Sequence, residues 1–182
     1  MAIETLAALE SACQGKDLYE VIQSDDCMER GVSPEGSFEQ MRELYTAIRR
    51  AASRYNPTLR SASGMVGGDG EKMRAYVAAG KTICGEYVGQ VIAQALQMGE
   101  NNACMKCIVA APTAGSCGVL PAVLLPYQQR EKLEDDRMAQ AMYIAGAVGQ
   151  VVAAKASIAG AAGGCQAEIG TASAMAAAAL CY

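Results

Sequence analysis

No histidine occurs anywhere in this 182-residue chain. That removes the commonest general base near neutral pH and the commonest transition-metal ligand. Any chemistry must run on thiols, carboxylates, lysine, tyrosine, backbone donors or a cofactor. Tryptophan is also absent, and phenylalanine occurs once against eight tyrosines. The apolar residues, 52% of the chain, are therefore mostly Ala, Val, Ile, Leu and Met. Such side chains let helices approach closely and favour a helical body. Charge is scarce as well: 19% of residues are charged and the net charge is −4. That balance argues against disorder and leaves no basic footprint for nucleic acid. The local cluster Arg49, Arg50, Arg54 and Arg60 reads as a solvated helix face.

A run long and apolar enough to cross a membrane is missing. The stretch Met138 to Leu180 has the least charge but is interrupted by Lys155 and Glu168 and diluted by Gly, Ser and Ala. A span needs roughly 20 strongly apolar residues, so this stretch is expected to be buried core, packed against another subunit. A basic start is missing too, since Glu4 and Glu10 mark the first ten residues. No secretory leader is expected, and a cytoplasmic location follows. The eight cysteines, at positions 13, 27, 84, 104, 107, 117, 165 and 181, then point to thiol or metal chemistry rather than to disulfides.

What is present is helical periodicity. Ile3, Leu6, Leu9 and Cys13 keep helical spacing, and a second helix is expected from Asp17 to about Glu29, closed by Gly31. A third starts near Pro34 and Ser37, carries Met41, Leu44, Tyr45 and Ile48 on one face, and ends before Pro57. The segment 61–70 is too rich in Gly and Ser for regular structure and reads as a loop before a short helix, 71–79. Further helices are expected over 82–97, from Val119 to before Arg130, over 138–156 and over 168–180. Gly99-Glu-Asn-Asn102 reads as a polar corner and 130–137 as a charged surface connection. The fold class expected is all-α, as one helical domain over 1–182. Nothing in the pattern stops the last helix before Cys181-Tyr182, which suggests a C-terminally truncated domain.

Three motifs carry possible chemistry. In Ala111-Pro-Thr-Ala-Gly-Ser-Cys-Gly-Val-Leu-Pro121, small polar side chains sit between Gly and Pro ahead of an apolar helix. Such a loop can aim backbone N–H groups and a helix N-terminus at a carboxylate, although a structural loop has the same pattern. In Gly160-Ala-Ala-Gly-Gly-Cys-Gln-Ala-Glu-Ile-Gly170, one cysteine lies beside a helix start, where the thiolate a metal requires is favoured. A buried inert thiol fits equally. Cys104-Met-Lys-Cys107 lacks a second pair to complete a four-ligand site and reads as two ordinary thiols. Cys13, Cys27, Cys84 and Cys181 read as small buried hydrophobes. Lys81 and Lys155 are isolated cations that fit either a carboxylate contact or a helix end in water.

Taken together, Ser61-Ala-Ser-Gly-Met-Val-Gly-Gly-Asp69, Gly80-Lys-Thr-Ile-Cys-Gly-Glu-Tyr87, Ala111 to Gly118, and Gly164-Cys-Gln-Ala-Glu168 followed by Met175-Ala-Ala-Ala-Ala179 resemble the α subunit of iron–sulfur L-serine dehydratases. Their order and spacing fit across roughly 36–180. The resemblance implies an all-α catalytic domain in which a 4Fe-4S cluster acts as Lewis acid while L-serine is converted to pyruvate and ammonia. It implies that Cys165 is a cluster ligand and that Thr113, Ala114, Gly115 and Ser116 contact the substrate carboxylate. The family's other two cysteine ligands belong to a later Cys-Asp-Pro-Val motif and a Pro-Cys beyond it, and this sequence contains neither. The cluster is therefore expected in the complete enzyme and not in this chain, which is expected to be inactive alone. A separate β subunit and a homo-oligomer are the implied partners. The competing readings are a related iron–sulfur lyase acting on cysteine and a non-catalytic helical assembly module.

Overall fold

The computed structural model describes residues 3–182. Among them every regular element is helical, as the Ala-rich periodicity predicts. None of these helices is long and apolar enough to cross a membrane. The chain packs as two compact units, Met1–Tyr45 with Glu134–Tyr182, and Thr46–Leu133.

The first unit is built from α1 (Leu6–Ala12), α2 (Leu18–Arg30), the first part of α3 (Pro34–Ser53), α7 (Asp135–Lys155) and α8 (Gly160–Cys181). Its helix ends follow local chemistry. Thr5 Oγ1 accepts from Ala8 N and Asp17 Oδ1 from Tyr19 N, satisfying first-turn donors. Gly31 takes the left-handed conformation, φ 65°, that closes α2. The core gathers Ile3, Leu9, Ile22, Tyr143, Ile144 and Ala147. Within it the Tyr143 hydroxyl and Ser37 Oγ are hydrogen-bonded at 2.5 Å, and Ser37 Oγ donates to Asp26 Oδ2 at 2.6 Å. Buried polar atoms are thereby paired, as burial demands. α7 is the most enclosed helix and packs along α8, where Gly149 leaves room for Met175.

The second unit holds the end of α3, α4 (Asp69–Ala78), α5 (Gly85–Ala103), a short 3-10 turn (Ala114–Ser116) and α6 (Val119–Glu131). α5 lies at its centre, packed by α4 on one side and α6 on another. Gly70 sits directly on α5: a Cβ there would come within 2.6 Å of Gln97 Cγ and 2.9 Å of Gln97 N. Gly70→Ala gains about 1 kcal/mol of helix propensity. It forces a backbone–backbone separation that overpacking penalises by about 1–3 kcal/mol. The expected result is net destabilisation, read as a lower midpoint in urea unfolding.

Several sequence expectations need correction. Gly99 to Asn102 is no corner but the last full turn of α5, because Glu100 and Asn101 face inward, 6% and 3% exposed, and find partners there. The surface connection shrinks to 132–134: Lys132 closes α6 in the left-handed conformation, and Asp135 and Asp136 occupy the first turn of α7, where the helix dipole favours acids. α5 begins at Gly85 rather than Thr82, since Gly85 has φ 80° and Thr82 Oγ1 donates to its carbonyl. Leu44 is 39% exposed, off the buried line of Tyr45 and Ile48. Cys84 and Cys181 are exposed and Cys13 and Cys27 half-buried, so none of the four is a fully buried hydrophobe. Lys81 and Lys155 are exposed, and Lys155 lies in the last turn of α7, the helix-end alternative.

Candidate functional site

The loop after Cys107 turns through a cis Ala111–Pro112 bond into the 3-10 turn Ala114–Ser116. Its polar side chains divide sharply in role. Ser116 is 1% exposed, and its hydroxyl lies 3.2 Å from Thr113 Oγ1, 3.3 Å from the Ala111 carbonyl and 3.2 Å from the Thr113 carbonyl. That hydroxyl is spent inside the loop and gives it shape. Ala114 and Gly115 are exposed, and Thr113 is half-buried. The loop runs through Cys117 and Gly118 into α6, whose first turn has no side-chain cap. Thirteen residues of helix thus direct their positive end toward the loop. Cys117 is buried, and burial pushes its thiol above the ordinary range, away from a reactive thiolate.

Cys165 lies in the first unit. α8 is interrupted at Gly164, where φ 74° and ψ 175° leave the helical region, and the cysteine opens the second helical stretch. Glycine is required there, because L side chains rarely adopt that φ. Cys165 is exposed. Glu168, three residues on, faces back to Gly160, where a Cβ would meet its carboxylate oxygen at 2.7 Å. Among the described residues no three His, Cys, Asp or Glu side chains come together in a way that could hold a metal ion. The residues of this chain therefore do not by themselves fit an iron–sulfur cube, which needs thiolates converging on several irons.

The structure adds residues that sequence reading missed. Glu100 Oε1 accepts from the backbone N–H of Asp69 at 2.6 Å and of Gly70 at 3.0 Å, and Oε2 from the Tyr55 hydroxyl at 2.5 Å. The N-terminus of α4 has no cap of its own, and Glu100 supplies one from a distant helix. Burial pushes the Glu100 carboxyl up, but hydrogen bonds from Tyr55 and from the N–H groups of Gly70, Asp69 and Gly68 outweigh it and hold the group below the usual range. Burial, followed by the hydrogen bond and charge of Glu100, pushes Tyr55 up to about 12. Asn101 Nδ2 donates to the Ala51 carbonyl and Asn102 Nδ2 to the Ala114 carbonyl, each at 3.0 Å. Three consecutive residues thus anchor α3, the Gly-rich loop and the 113–118 loop. The available signal was spacing: Glu100 falls seven and eleven residues after Ala93 and Gly89, on the same buried face. Arg60 also departs from the solvated-face reading, since its guanidinium donates to the Pro57 and Leu59 carbonyls and lies against Gly67 and Gly68.

Comparison with known proteins identifies the family. The family described as "Serine dehydratase alpha chain" matches residues 10–182. A "Probable L-serine dehydratase, alpha chain" of Bacillus subtilis is 41% identical over 146 residues, covering 80% of this chain and 49% of that protein. The "L-serine dehydratase, alpha chain" of Peptoniphilus asaccharolyticus is 42% identical over 116 residues, 64% of this chain and 40% of that protein. A "Probable L-serine dehydratase, alpha chain" of Latilactobacillus sakei is 48% identical over 90 residues, 50% of this chain and 43% of that protein. The chain thus spans about half the length of these relatives, or less. No solved structure matches it. A match across nearly every residue, with the loop and the Gly–Cys helix start inside it, settles the kinship: the chain belongs to the serine dehydratase alpha chain family.

Proposed function

We propose that this chain is part of the catalytic domain of an L-serine dehydratase. The observation that carries the reading is the loop 113–118, a self-bonded turn that presents exposed Ala114 and Gly115 ahead of an uncapped 13-residue helix. That is an anion site suited to an amino-acid carboxylate. Ala114 and Gly115 offer backbone N–H groups and Thr113 a hydroxyl, while Ser116 holds the turn. In the reaction the α-proton and the β-hydroxyl of serine leave as water. The 2-aminoacrylate formed then tautomerises and hydrolyses to pyruvate and ammonia.

Cys165 is assigned as one ligand of a 4Fe-4S cluster, on the resemblance and on its exposed position at a helix start. The cluster would supply Lewis-acid chemistry in the complete enzyme. Because the thiols of this chain do not complete it, the remaining ligands must come from polypeptide corresponding to the other half of the relatives. A separate β subunit is part of the same proposal, supported by the relatives' designation as alpha chains. A cytoplasmic enzyme is expected.

Anaerobic reconstitution with iron and sulfide tests the assignment. The 182-residue chain alone is expected to bind well under four irons and to leave serine unchanged, whereas protein of the relatives' full length is expected to bind about four. Four irons on the 182-residue chain would show that other cysteines here complete the site and would overturn the role given to Cys165.

A further inference from the structure

Two of the four residues read from sequence as a corner, Glu100 and Asn102, turn out to join the two family-like loops of the second unit. Glu100 holds Asp69 and Gly70, where the Gly-rich loop 61–70 enters α4. Asn102 holds Ala114, one of the two exposed residues of the 113–118 loop. Close packing repeats the arrangement. A Cβ at Gly70 would meet Gln97, and one at Gly118 would lie 3.2 Å from the Ala95 carbonyl and 3.5 Å from Met98 Cβ.

Helical geometry gives these contacts a direction. At about 100° per residue, Gln97 and Glu100 occupy one flank of α5, and Ala95, Met98 and Asn102 the opposite flank. One arc between the flanks contains Asn101 and is closed by α3 through the Ala51 carbonyl. The other contains Leu96 and Gly99. Leu96 is 39% exposed, and a Cβ at Gly99 would meet nothing within 4 Å. Asp69 and Gly70, where the Gly-rich loop ends, and the 113–118 loop therefore flank an open strip of helix, about 10 Å across, whose floor is apolar and lacks a side chain at its centre.

The Gly-rich loop is built to hold its shape as a wall. Ser61 N donates to the Val66 carbonyl at 2.9 Å and Gly64 N to the Ser61 carbonyl at 2.8 Å, and the Arg60 guanidinium braces its glycines. Ser61 Oγ and Ser63 Oγ lie 3.1 Å apart near its tip. The loop thus carries hydroxyl groups on a braced backbone.

We propose that Glu100 and Asn102 are positioning residues that set the Gly-rich loop 61–70 and the loop 113–118 as the two walls of one substrate cleft over Leu96 and Gly99. The proposal rests on the serine reading above and adds to it the second wall and the residues that fix the spacing. Glu100 orders one wall through its carboxylate, and Asn102 the other through its amide. Neither touches the substrate, so their effect is on the affinity of the ordered cleft.

The test is an NMR titration of the 15N-labelled 182-residue chain with L-serine. Amides of 61–68 and of 113–116 are expected to shift together along one saturation curve. Asn102→Ala, a change at a partly exposed hydrogen bond, is expected to raise the Kd for L-serine about fivefold, the worth of one ordering hydrogen bond. Its thermal midpoint should stay at the wild-type value, which a merely structural role would not allow. Glu100→Gln, which keeps an acceptor for Asp69 and Gly70, should retain the joint response of both loops. Shifts confined to 113–116, or an Asn102→Ala variant with wild-type Kd, would overturn this inference and leave the serine reading standing. Silence in both loops would overturn both.

Discussion

Glu100→Ala is expected to destabilise the protein by at least about 3 kcal/mol. The substitution leaves the Tyr55 hydroxyl and the N–H groups of Asp69 and Gly70 without their acceptor, and each buried polar group so stranded costs about 1–3 kcal/mol. It also removes the carboxylate that caps α4 from another helix. Glu100→Gln should cost less, about 1–2 kcal/mol. One amide oxygen can still accept from both N–H groups, and the amide nitrogen can donate to the tyrosine oxygen. Urea unfolding of the full chain reads both values. Equal stability of Glu100→Ala and wild type would show that the network carries no load.

The same network sets a pH dependence. Glu100 is held below its usual pKa in the fold, so its contribution is fully present above the unfolded value near 4.5 and is lost as pH falls through the lower folded value. Tyr55 is raised, so its contribution is present below its unfolded value of 10 and is lost as pH rises toward about 12. Glu100→Gln is expected to flatten the Glu100 share of the acid limb. Unfolding midpoints measured from pH 3 to pH 6 in both proteins, expressed as a difference, isolate that share.

Cys165→Ala is expected to separate activity from stability. The side chain is exposed, so its removal should change stability by no more than about 0.5 kcal/mol. As a proposed metal ligand, its loss from protein of the family's full length should reduce pyruvate formation from serine by more than the roughly 10–100-fold typical of losing an outer-shell group. Cys104→Ala, Cys107→Ala and Cys181→Ala serve as controls, since nothing in their surroundings assigns them a ligand role. A full-length Cys165→Ala protein with near wild-type turnover would remove Cys165 from the site.

Much of the fold was legible because the local signals agree with one another. Asp17 and Gly31 mark the two ends of α2 as capping chemistry requires, and the Gly-rich run 61–70 stays irregular. The flanking glycines placed a helix start near Cys165, although the helix was expected only from Glu168. What escaped was decided by tertiary partners. Glu100 and Asn101 look like surface residues until Tyr55, Gly70 and Ala51 are placed against them. The family resemblance implied that Ser116 contacts the substrate carboxylate. Its hydroxyl is buried and makes three contacts within the loop, a burial that residue type alone does not reveal. The last helix was expected over 168–180, but the chain already coils from Gly160 and breaks only at Gly164, a distinction that depends on one backbone torsion.

Product analysis with paired substrates tests the central claim most directly. Protein containing this chain at the relatives' full length, reconstituted anaerobically with iron and sulfide, is given L-serine in one reaction and L-cysteine in another. Pyruvate and ammonia are measured in both, and sulfide in the second. The account expects pyruvate and ammonia in equal amounts from L-serine, at a rate well above any release of sulfide from L-cysteine. Sulfide release from cysteine with serine left intact would contradict it.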